Sequence, residues 1–428
     1  MKIAPEPLMQ AETRARESLE EITDLALEFG RLSMEAGASA RHVEDIAERV
    51  ALGLGAERVD MSIGYCSLAV TISFGHEAIT RICKVGPVGV NERLHGALSA
   101  AAARIERCEM TVTQARTELT STLRECSRHA DWLITLGVSV ACAAFGRLMG
   151  IDWRGVGPIF LGAALVQIVR RGLALHNVNP FISAATAAFF GSALCGFGAR
   201  WVGSPTAATN VIAPVLLLVP GVPLFNAQCD ILGRSSESGK CPSRLGGGDA
   251  VIHDPGCLAG PGVARRSALT MDLLPLLHNT VCGGLAAAGF GVLFNVSFRG
   301  LPWCAASGAL ALALRTIALG AGWRLEAASF VAAFLLGIVV QLLPSRIGVS
   351  RNALHVVGCI PLIPGGFTAK AILGLFAVTV QRPDTANEVL IAALENLLRA
   401  LFTIGALGTG LALPIVVLRA RSRRISRT

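Results

Sequence analysis

The chain has 428 residues, 52% of them apolar and only 16% charged, with a mean hydropathy of +0.56. That balance excludes an ordinary water-soluble globular protein and points to closely packed membrane helices rich in Leu, Ala, Val, Ile and Gly. The net charge of +8 comes from arginines placed mostly between apolar runs and at the C-terminus, which suits orientation in a bilayer rather than a nucleic-acid patch.

Residues 1–128 read as a small soluble α+β domain. The first thirty residues carry mixed charge and no apolar leader, so this domain is expected in the cytoplasm. Amphipathic helical patterns lie near 17–36 and 40–53. Three β-rich runs follow at Arg58–Ile63, Ser67–Ser73 and Glu77–Cys83, then helices near 90–106 and 111–127. None of these is long and apolar enough to cross a bilayer. His42, Asp45, Asp60, Ser67, His76 and His95 show no spacing of a triad or a metal site, and solvated or capping roles are expected. The twelve cysteines form no C-x-x-C pair, and several sit inside apolar runs as reduced, buried thiols. No metal or cofactor is expected.

From Trp132 the composition changes. Apolar runs near 132–150, 156–173, 180–200 and 207–226 make a first membrane module, 129–232. A Gly-rich polar segment follows, 233–268. Five runs near 273–294, 302–321, 327–344, 354–379 and 391–418 make a second module, 269–418, before the basic tail 419–428.

The two modules repeat each other. AFGRLMGIDWRG (144–155) recurs as GFGVLFNVSFRG (289–300), and the same offset of 145 carries Arg170 onto Arg315 and Ala187-Ala188-Phe189 onto Ala332-Ala333-Phe334. One residue of slip aligns Pro220-Gly221 with Pro364-Gly365. Nine runs are visible, but with the N-terminal domain inside, nine crossings leave the Arg-rich tail outside. One more crossing within 231–270 would bring Arg299, Arg346, Arg351 and the tail inside. It would also make the two units inverted, the construction common in transporters. Residues 233–266 contain no apolar run able to supply it.

Pro-Gly pairs interrupt corresponding spans, at Pro220-Gly221 and Pro364-Gly365. Proline removes a backbone donor and glycine loosens the helix, so both spans are expected to break. A break at membrane depth exposes backbone groups that need a cavity, an ion or a substrate. Asn226 and Asp230 follow the first break and Lys370 the second. Lys370 is expected to hold a substrate carboxylate, with Asn226 or Asp230 on an ammonium or hydroxyl group. Arg170 and Arg315 read as gate or interfacial anchor, as do Glu395 and Arg399, which are spaced as a helix-face ion pair.

On these residues the chain resembles the bacterial threonine/serine exporter family. The soluble part matches in AGASARHVEDIAERVALGLGAERVDMS (36–62) and the first membrane half in PGVPLFNAQCDIL (220–232). The second half is similar to the family's small partner module in GFGVLFNVSFRG, IPLIPGG (360–366) and the final span. The resemblance implies export of threonine and serine, driven by an ion gradient, across the bacterial inner membrane. Relatives with the two modules on separate chains are associated with export of dicarboxylates such as succinate. The expected partners are a small-molecule substrate and the lipid bilayer, with no nucleic acid; a homo-oligomer is left open. A membrane-anchored hydrolase and a gated channel or sensor are lower-ranked alternatives. The family continues after Asn-x-x-x-Asp into a fifth apolar span, which 233–266 here lacks.

Overall fold

The computed structural model describes residues 6–64, 66–75, 77–218, 273–343, 349–379 and 383–425. The N-terminal part runs α1 (Glu6–Glu35), α2 (Ala40–Gly53), β1 (Arg58–Ile63), β2 (Ser67–Phe74), β3 (Glu77–Lys84), α3 (Glu92–Glu106) and α4 (Val112–Glu125). The strands form an antiparallel sheet in the order β1-β2-β3. Leu68, Val70 and Ile72 alternate along β2 and are fully buried in one core with Leu25 and Phe29 of α1. Burying each such side chain stabilises by about 1.5–3 kcal/mol. Helix α1 starts well before the amphipathic stretch near 17–36. Its first turns are good helix formers without an apolar stripe, so periodicity does not mark them.

The membrane part consists of α5 (Asp131–Leu148), α6 (Trp153–Leu175), α7 (Pro180–Trp201), a short α8 (Ala207–Asn210) and a 3-10 helix (Ala213–Leu218). After the segment outside the described residues come α9 (Leu273–Leu293), α10 (Leu301–Gly320), α11 (Leu325–Leu342), α12 (Arg351–Cys359), a 3-10 turn (Ile360–Leu362), α13 (Gly365–Val378) and α14 (Pro383–Ile425). Seven of the described helices are long and apolar enough to cross a membrane, or up to eight with α12 and α13 taken as one bent span. The chain is therefore a multi-pass membrane protein. The expected span at 207–226 runs as α8 and the 3-10 helix as far as Leu218, and its remainder lies outside the described residues.

The repeat seen in sequence recurs in backbone geometry. Helices α5 and α9 end at Leu148 and Leu293, α6 and α10 at Leu175 and Gly320, each pair 145 residues apart. Both α5 and α9 close on a left-handed residue, Gly150 (φ +84°) and Asn295 (φ +59°). So do α6 and α10, on Asn177 (φ +53°) and Gly322 (φ +86°). Gly and Asn tolerate this conformation best. The closing bonds match as well: Ile151 N–H donates to Gly146 O (3.1 Å) and Val296 N–H to Gly291 O (2.9 Å).

The two units run in opposite directions. His129, just before α5, donates its N–H to the Asn295 side chain, just after α9 (2.9 Å). Trp153, just after α5, meets His278 in the first turns of α9, with ring centroids 6.1 Å apart. The start of each helix thus lies beside the end of its repeat mate. Phe145 and its mate Phe290 meet edge to face at 5.9 Å, as residues beside a two-fold axis do. A Cβ on Gly289 would collide with the Gly137 carbonyl, so glycine is what lets α5 and α9 approach closely.

Two ends of the bundle can now be assigned. Asp131 pairs with Arg171 (2.5 Å), placing the end of α6 on the side of the α+β domain. Arg154 donates to Gly203 O (3.5 Å), placing the end of α7 on the far side, near Trp153 and His278. The crossing expected within 231–270 lies outside the described residues; the end of α7 and the start of α9 stand on the same, far side. Single cysteines at His176 and Ser297, in a background without exposed thiols, should label from one side of sealed vesicles, and at Gly150 and Gly203 from the other. Labelling of His176 and Gly150 from the same side would overturn this topology.

Candidate functional site

The span after α11 breaks where the prolines predict. Helix α12 passes through the turn Ile360–Leu362 and re-forms as α13 from Gly365, with a bend of 52°. Pro364 lacks an N–H, and Gly365 N–H turns back to Ile363 O (2.8 Å). No side chain caps the start of α13. The Leu362 carbonyl is taken by Arg315 of α10, whose Nη1 donates to it at 3.0 Å. Sequence reasoning read Arg315 as a gate or anchor; the fold brings it to the break.

The first unit approaches the same place. A Cβ on Gly365 would lie 2.7 Å from Leu216 Cδ2 of the 3-10 helix, and one on Gly366 3.1 Å from Met149 Cε, past the end of α5. The irregular segment of the first unit is satisfied differently. Ser192 Oγ donates to Val211 O (2.9 Å) and Cys195 Sγ to Asn210 O (3.2 Å). Asp152, the N-cap of α6, accepts from Ser204 Oγ (2.5 Å) and Thr206 Oγ1 (2.6 Å). These bonds hold its carboxyl down to about 2.

The other sequence-chosen residues divide. Pro220, Gly221, Asn226 and Asp230 lie outside the described residues. Lys370 is exposed on α13, five residues past Gly365. Arg170 does not mirror Arg315. Its Nη2 donates to Gln167 Oε1 of its own helix (3.1 Å). Glu395 and Arg399 form the expected pair on α14, with Oε1 2.9 Å from Nη2, and both are exposed.

A junction that sequence reasoning missed joins the α+β domain to the second unit. Asn295 is 2% exposed. Its Nδ2 donates to Asn91 Oδ1 (2.9 Å) and Ser127 O (3.2 Å), and its Oδ1 accepts the His129 N–H (2.9 Å). Asn91 is the N-cap of α3, and Glu92 N–H donates to Phe294 O (2.9 Å). Ser350, the N-cap of α12, donates to Glu92 Oε2 (2.9 Å). The domain therefore touches the first residue before the broken span. The available signal was the repeat itself, since asparagine stands where the mate has Gly150. Behind Glu92, the rings of His95 and His42 lie 4.5 Å apart, with His42 Nε2 3.1 Å from Ser99 Oγ. Burial, then the neighbouring His95, push the His42 imidazole down to about 4.

Inverted helical units that meet at a broken span are the construction common in membrane transporters. Residues 24–241 match the family model described as "Putative threonine/serine exporter" and residues 279–417 the one described as "Threonine/Serine exporter, ThrE". The chain belongs to the threonine/serine exporter family, whose members are amino-acid exporters. No solved structure matches it.

Asn295→Gly keeps the left-handed turn but strands buried polar groups, each costing about 1–3 kcal/mol. Faster hydrogen exchange at residues 91–95 and 127–131, with α10 and α11 unchanged, is the expected outcome. His42 binds fewer protons folded than unfolded between its ordinary pKa of 6.5 and about 4. Its contribution to stability is therefore full above that window and lost as pH falls through it. Exchange at residues 40–53 should speed up over this range, and His42→Gln should flatten the response.

Proposed function

We propose that this protein exports threonine and serine from the cytoplasm across the bacterial inner membrane, driven by the proton gradient. The observation that carries this reading is the meeting of two inverted units at a broken span within a chain whose residues 24–241 and 279–417 match the exporter models. Alternating access then consists of one unit rocking against the other about the α5–α9 contact, with substrate at the break. The soluble domain faces the cytoplasm. Arg170, Arg171, Arg299 and Arg351 lie at the ends of spans on its side, and α14 runs toward that side into a tail with Arg419, Arg421, Arg423 and Arg424.

Proton coupling has a group to act on. His355 of α12 is 1% exposed, two turns before the break, and its Nε2 has no hydrogen-bond partner. The Gly337 carbonyl of α11 faces it, and Arg351 lies one turn earlier on its own helix. A buried imidazole with one free nitrogen can take up and release a proton as water reaches it from alternate sides.

The test is efflux from proteoliposomes of the full chain, loaded with labelled threonine, serine or succinate. Threonine and serine should leave about 10-fold faster when the trans side is acidified, a modest coupling on the free-energy scale. His355→Gln should abolish that acceleration. Efflux of succinate in place of the amino acids would replace the substrate assignment, and efflux indifferent to pH would remove the proton.

A further inference from the structure

Arg315 is more than a cap for a broken helix. It sits five residues before the end of α10 at Gly320, about 7.5 Å inside that end at 1.5 Å per residue. A helical side chain leans toward the N-terminus of its helix, which here is away from the nearer membrane surface. An interfacial anchor would reach the other way. Arg315 instead reaches the Leu362 carbonyl at the break.

Its charge has no counter-charge among the described residues. Of the second unit's acids whose side chains are described, Glu395 is engaged by Arg399, and neither Glu326 nor Glu388 forms an ion pair with Arg315. A guanidinium offers five donors in a planar fork, and the Leu362 carbonyl accepts from one nitrogen. The uncapped start of α13 adds positive potential beside it. A positive charge held in a span by a neutral carbonyl is costly until an anion joins it. The repeat sharpens the point. Arg170, the mate, donates to Gln167 of its own helix, whereas Arg315 donates across to the break.

We infer that Arg315 binds the carboxylate of the transported molecule, with the Leu362 carbonyl positioning the guanidinium so that its remaining donors form a two-pronged contact. The ligand class is a carboxylate, either the α-carboxylate of an amino acid or one end of a dicarboxylate. This inference rests on the exporter reading above for the existence of a transported substrate. Lys370, exposed on the outer part of α13, is not required for the contact.

The test is equilibrium binding to the purified full chain, probed with labelled L-threonine and labelled succinate. Unlabelled competitors are L-threonine, L-threoninamide, succinate and succinamide. Charge-assisted, bidentate pairing should make each carboxylate compete about 100-fold better than its amide in the wild type. Arg315→Gln should reduce that ratio to within about threefold in protein that remains monodisperse, and Arg315→Lys, a point charge without the fork, should fall between. A purely structural role at Leu362 would lower stability without changing the carboxylate-to-amide ratio. If Arg315→Gln does not fold, the wild-type ratio and Arg315→Lys carry the test. Equal binding of acid and amide by the wild type, an unchanged ratio in Arg315→Gln, or binding of neither probe overturns the inference. Binding of succinate but not threonine, with the same dependence on Arg315, upholds it and removes only the threonine/serine assignment.

Discussion

A backbone carbonyl at membrane depth has no water to bond to, and every departure from regular helix must be answered from within the protein. The break at Ile360–Gly366 is such a departure, and Arg315 answers it through Leu362. The first unit answers its own irregular stretch with Ser192 and Cys195 on Asn210 and Val211. One answer is neutral and closed. The other brings a positive charge to the break. That difference is the ground for the proposal that Arg315 receives a substrate carboxylate.

The inverted repeat makes this asymmetry visible. Helix ends, left-handed caps and closing bonds coincide at an offset of 145, and Phe145 packs on Phe290 beside the pseudo-two-fold axis. Where mates keep the same role they keep the same chemistry, as with the turns at Gly150 and Asn295. Where they differ, the second unit has acquired a contact: Asn295 reaches the α+β domain, and Arg315 reaches the break. Gly137 and Gly289 let α5 and α9 approach closely where the two units meet.

The α+β domain is tied to the same span. Its α3 N-cap, Asn91, and the adjacent Glu92 hold the α9–α10 turn and the start of α12. Movement of α12 about its break therefore strains the Ser350–Glu92 bond, and the His42–His95 pair lies directly behind it. The domain contacts the start of the broken span without contributing to the break itself.

Much of this was legible from residues alone. Apolar runs of sufficient length, alternation along Ser67–Phe74, Pro364 and Gly365 within a span, and the recurrence of one motif 145 residues on are local or periodic signals, so they survive without coordinates. The spacing of Glu395 and Arg399 likewise implied their pairing, because one helical turn brings them together. What sequence could not settle was which distant groups meet. Arg170 and Arg315 are equivalent by alignment and look alike as anchors; only the packing of α10 against the break turns one toward a carbonyl 47 residues away, while the other bonds within its own helix. Asn295 reads as an ordinary turn residue until the fold sets it beside Asn91, which lies 204 residues earlier. The apolar spans and the break at Pro364-Gly365 were determined by the sequence, since hydropathy and proline chemistry act along the chain. The pairing of charge with break, and of domain with turn, was decided by tertiary structure, since those contacts act across it.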